Sequence, residues 1–127
     1  MKTMRTPLKK VRYLGSAKEG TDHFWKQRVT AVANVFLGVF LVWLIASLIG
    51  ADYITVRQKL AHPLIALALL ALILSATIHM RLGMQTIIED YVHAEGPKLV
   101  ALMLNTFFAI FIALSSVFAV LKLSFGA

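Results

Sequence analysis

His79 and Arg81 stand inside an otherwise apolar stretch of this chain. Ionisable residues in such a setting are the first candidates for chemistry. A neutral imidazole is a good ligand for haem iron. Gly83 lies four residues beyond His79, on the same face of a helix and one turn away. Its missing side chain would let a flat macrocycle, or another helix, approach the backbone. The pair also suits plain packing, with the histidine bonded to a neighbouring helix and Gly83 as a notch. One histidine supplies one axial ligand, so a bis-histidine haem would need its second from another chain. His62 lies at the opposite end of the stretch, and His23 and His93 lie outside the apolar segments. Arg81 points about 200° away from His79 around a helix and is long enough to snorkel to headgroups.

Two more positions have chemical potential. Asp90 and Tyr91 close the same helix. A tyrosine hydroxyl beside a carboxylate can donate to a quinone carbonyl and help deliver a proton from water. An interfacial tyrosine next to a helix-end acid is also common without any ligand. Arg28 precedes the first apolar stretch, where it could pair with an anionic group such as a propionate or serve as an ordinary positive anchor.

The elements that must position these residues are long apolar helices. The chain has 127 residues, of which 59% are hydrophobic. That is too apolar for a typical soluble domain. A bilayer core of about 30 Å needs roughly 20 apolar residues in a helix. Residues 29–49, 62–88 and 99–121 each reach that length. The expected fold is an all-α membrane protein with three transmembrane helices running up-down-up. The expected division is a basic N-terminal segment, 1–28, followed by an anchor domain, 29–125. Residues 50–62 and 89–98 are expected as connections. Three helices enclose little space and present much lipid-like surface, so a partner subunit is plausible on those grounds.

Charge orients the helices. Eight of the thirteen basic residues precede the first span. This is the flank expected on the cytoplasmic side, beside anionic lipid. The N-terminus and the second connection are therefore expected inside, with the first loop and C-terminus outside. Trp25 fits an interfacial anchor. The formal charge of +7 is concentrated in this flank, without a nucleic-acid-binding motif, so no nucleic-acid partner is expected. The first apolar stretch is too long for the core of a secretory signal. The leader lacks acidic residues before Glu19, as a mitochondrial presequence does. Without cysteine, these residues make no disulfide, thiolate–iron bond or thiol nucleophile.

The run His79-Met80-Arg81-Leu82-Gly83-Met84, followed after a fixed gap by Asp90-Tyr91, resembles the hydrophobic membrane-anchor subunits of succinate dehydrogenase, the smaller anchors of respiratory complex II. The segment Phe24-Trp25-Lys26-Gln27-Arg28-Val29-Thr30-Ala31 matches that family's aromatic-rich flank leading to Arg-x-Thr-Ala. The basic leader looks most like alphaproteobacterial members. The resemblance covers about residues 20–125, and the histidine-to-tyrosine spacing is its specific part. It implies that His79 is an axial ligand to haem b, with Gly83 beside it. It implies that Tyr91, with Asp90, binds ubiquinone. Arg28 would lie near the haem propionates, and His23 sits close to a family histidine in that flank. It further implies three partners: a second, cytochrome-type membrane anchor that shares the haem, an iron–sulfur subunit and a flavoprotein carrying FAD. The expected role is to pass electrons from succinate to ubiquinone, in the bacterial inner membrane rather than the mitochondrial one. The alternatives are an anchor of a fumarate reductase-type complex and a cofactor-free structural adaptor.

Overall fold

The computed structural model describes residues 17–126, with side chains described from Gly20 onward. The described residues form four helices: α1 Ala17–Leu48, α2 Tyr53–Leu60, α3 Pro63–Tyr91 and α4 Glu95–Ser124. No strand occurs among the described residues. Three of the helices, α1, α3 and α4, are long and apolar enough to cross a membrane. The protein is a multi-pass membrane protein.

The helix ends follow from local chemistry. α1 stops where Gly50 adopts a left-handed φ of 78°, which a side chain would resist. Asp52 then caps α2, accepting from the Thr55 N–H at 3.1 Å. Arg57 and Lys59 lie in the last turn of α2, where positive charge suits the helix dipole. Lys59 also sits over the Trp43 ring at 5.2 Å, tying α2 to the end of α1. Pro63 occupies the first turn of α3, and the His62 ring caps it by accepting from the Leu64 N–H. Residues 92–94 separate α3 from α4, so those helices form a tight hairpin.

Two expectations about extent change. The helix that carries the first span begins before residue 29. α1 is already helical at Ala17 and spans 32 residues, about 48 Å. Nothing between Ala17 and Val29 breaks a helix, and an i,i+4 pair, Asp22–Lys26 at 2.8 Å, supports it. Its early turns thus project beyond a bilayer core of about 30 Å. The first connection is not a simple loop either, because it contains α2. The segment 1–16, with most of the basic leader, lies outside the described residues.

α3 is the central element. It packs along both α1 and α4, which scarcely meet each other. Successive helical residues are about 100° apart. Thr77 and Ile88, both buried, share one face of α3 with Arg81. That face meets α4: Asn105 Nδ2 donates to the Arg81 carbonyl at 3.0 Å, and Arg81 Nε donates to Thr106 Oγ1 at 3.4 Å. Ser75, His79, Gly83 and Thr86 share the other face, toward α1. Arg81 and His79 do point to different neighbours, as the spacing predicts.

Candidate functional site: a polar seam between α1 and α3

The extension of α1 before residue 29 matters because it completes a polar stripe. His23, Gln27, Thr30 and Asn34 recur at intervals of four, three and four. That spacing keeps them on one helical face. The stripe runs antiparallel to the Ser75–His79–Gly83–Thr86 face of α3. Thr30 Oγ1 is 3.1 Å from His79 Nδ1. Ser75 Oγ donates to the Thr30 carbonyl at 3.2 Å. Gln27 crosses Gly83, where an added Cβ would sit 3.5 Å from Gln27 Nε2. Thr30 is buried and His79 half-buried.

Below the His79–Thr30 pair, the seam widens into a cavity of about 540 Å³. Gly20, His23, Phe24, Gln27, Arg28, Gly83 and Thr86 line it. Arg28 lies over the Phe24 ring, 4.9 Å from its centroid, so the guanidinium is held at this edge. Among the described residues, three buried polar atoms on the α1 stripe have no hydrogen-bond partner: His23 Nε2, Gln27 Oε1 and Asn34 Oδ1. Leaving such an atom unpaired costs about 1–3 kcal/mol. A protein seldom carries three along one seam for packing alone.

The predicted site residues therefore divide. His23, Arg28 and Gly83 line one cavity, and His79 lies one turn deeper on the same seam. Asp90 and Tyr91 do not join them. They occupy the last turn of α3, and Tyr91 is 78% exposed. Tyr91 lies about 18 Å along the helix from His79 and about 120° around it. The sequence reading missed Thr30, Ser75 and Gln27 as partners of this site. The four–three–four spacing back to His23 was the available signal, and it becomes visible only once α1 extends through Arg28.

The profile of the succinate dehydrogenase/fumarate reductase transmembrane subunit family matches residues 2–119. The chain belongs to that family. A succinate dehydrogenase hydrophobic membrane anchor subunit of Paracoccus denitrificans is 29% identical over 122 residues, covering 96% of this chain and 94% of the relative. One from Rickettsia bellii is 32% identical over 88 residues, covering 69% and 70%. A succinate dehydrogenase membrane anchor subunit of Reclinomonas americana is 32% identical over 98 residues, covering 73% and 80%. No solved structure matches the chain. As a succinate dehydrogenase/fumarate reductase transmembrane subunit, the chain is an anchor component of an oxidoreductase complex. Its relatives are mostly alphaproteobacterial, in agreement with the resemblance of the leader.

Proposed function

We propose that the chain anchors a succinate:ubiquinone oxidoreductase in the bacterial inner membrane and that His79 is its ligand to haem b. The donor chemistry fits. One nitrogen of His79 is tied to Thr30, and the other, Nε2, makes no hydrogen bond among the described residues. Gly83, one turn away, adds no side chain of its own beneath Gln27, and the unpaired His23 Nε2 and Gln27 Oε1 offer polar partners at the cavity edge. Arg28 supplies positive charge there, suited to a propionate. The observation that carries the reading is this single seam of histidine, glycine and unpaired polar atoms.

When bound, the haem would supply a one-electron redox centre within the membrane. A second ligand to the haem would come from a second membrane anchor. An iron–sulfur subunit would deliver electrons, and a flavoprotein carrying FAD would oxidise succinate. At the end of α3, Tyr91 would donate its hydroxyl proton's hydrogen bond to a ubiquinone carbonyl, with Asp90 relaying protons from the aqueous side. Tyr91's exposure leaves its hydroxyl free for a ligand lodged between this chain and its partners.

The test is the purified complex carrying His79→Ala. Loss of at least nine-tenths of the haem, with a perturbed b-type optical spectrum, is expected. An unchanged haem content and spectrum would exclude His79 as a ligand. The Thr30–His79 bond across two helices is also what a cofactor-free adaptor would use for packing, and the same measurement separates the two.

A further inference from the structure

Thr30 carries one hydroxyl proton, and the geometry fixes where it goes. Oγ1 lies 2.7 Å from the Lys26 carbonyl oxygen and 3.2 Å from that of Gln27. Two oxygens at 2.7 Å need the proton between them. The hydroxyl therefore donates back into its own helix, a common arrangement for threonine. Oγ1 then faces His79 Nδ1, at 3.1 Å, with lone pairs only. The ring must supply that proton.

We infer that Thr30 is a positioning residue that holds His79 in its Nδ1–H tautomer, which leaves the lone pair on Nε2 for iron. A metal-binding histidine needs a deprotonated donor nitrogen, and a bond at its other nitrogen selects the tautomer and orients the ring. The setting makes this control firm. Thr30 is 8% exposed, so water does not readily replace its hydroxyl. Its branched side chain has few rotamers, and two carbonyls of its own helix hold the one observed. The Ser75 bond to the Thr30 carbonyl fixes the two helices at this level independently of the Thr30 side chain. The inference rests on the reading of His79 as the haem ligand, and its test keeps the two apart.

The experiment uses the complete purified complex with Thr30→Val, Thr30→Ser and His79→Ala compared with wild type. Valine keeps the shape and removes the hydroxyl. The readouts are haem content, the g values of the ferric haem in electron paramagnetic resonance, and its midpoint potential. Thr30→Val is expected to weaken haem retention by roughly 10–100-fold. The haem it retains should have shifted g values and a higher potential, because an imidazole without the Nδ1–H acceptor is less basic and favours ferric iron less. Thr30→Ser should restore all three. A packing role alone would lower the yield of assembled complex without moving the g values or potential. Should Thr30→Val not assemble, Thr30→Ala is read in the same way. Wild-type values in the hydroxyl-free variant, alongside haem loss in His79→Ala, would overturn the Thr30 role and leave the haem reading standing. Full haem content in His79→Ala would overturn both.

Discussion

Gly83 can be separated from a mere packing notch by adding one methyl group. In a helix interior, alanine is more favourable than glycine by about 1 kcal/mol. A Cβ at position 83 meets Gln27 Nε2 at 3.5 Å, an ordinary contact. Within this chain, Gly83→Ala should thus be neutral or stabilising. A macrocycle lying against the same backbone would meet that methyl directly. The expected result is an assembled complex of unchanged thermal stability whose haem content falls; a normal haem content would leave Gly83 with packing alone. Tyr91 poses the complementary question at the helix end. Tyr91→Phe removes one hydroxyl from a side chain that is already exposed, so the fold has little to lose. One hydrogen bond to a substrate is worth about 0.5–1.5 kcal/mol, or about a two- to tenfold drop in quinone reduction. Succinate oxidation by a soluble artificial acceptor should stay near wild type. Parallel losses in the two assays would remove Tyr91 from the quinone site.

At the scale of elements, α2 depends on its first turn. Hydrogen bonds from Thr55, its hydroxyl foremost and then its backbone N–H, hold the Asp52 carboxyl below its usual 3.8. A carboxyl with a depressed native pKa stabilises the fold above its unfolded value, and that contribution fades as pH falls through the native one. α2 should therefore fray selectively as the pH drops below about 3.8. Asp52→Asn, which keeps the accepting oxygen but cannot titrate there, should abolish that dependence. Hydrogen exchange of the amides at the start of α2, corrected for intrinsic rates, reads both outcomes; identical pH profiles would show that the Asp52 cap does not control this turn. The existence of α2 also shows where hydropathy stops informing. Apolar windows locate the slab of each helix that lipid must cover, and all three spans are legible from that alone. They do not locate helix ends, because the polar turns before Val29 and the capped turn after Asp52 are helical without being apolar. The site was legible unevenly for the same reason. His79 and Gly83 stand out as anomalies in a span. Thr30 does not, since its role arises from a contact across 49 positions of sequence that only packing reveals.

At the scale of the molecule, the helices form a layer with α3 in the middle, which leaves much of α1 and α4 without cover from the other described residues. Val35, Phe36, Val39 and Val42 on α1, and Phe107, Phe111, Leu114 and Phe118 on α4, are all more than half exposed. Water would not tolerate such faces, whereas lipid tails or an apolar partner would. Orientation within that lipid decides which end of the seam meets the cytoplasm. By the positive-inside rule, Lys26, Arg28 and the other six basic residues up to position 28 lead us to expect this end inside. The cavity around His23 and Arg28, and the Asp90–Tyr91 end of α3, would both belong to that side because α1 and α3 are antiparallel. A chain without cysteine allows a clean measurement, since each label has one target in it. Gln58 on α2 and Ala94 between α3 and α4 are exposed, near opposite ends of α3. In spheroplasts, a membrane-impermeant maleimide should label Gln58→Cys at once and spare Ala94→Cys until the membrane is opened. The reverse pattern would put the basic flank outside and separate the proposed quinone end from a cytoplasmic source of protons and electrons. That would undo the assignment of Asp90 and Tyr91 while leaving the His79–Thr30 pair untouched.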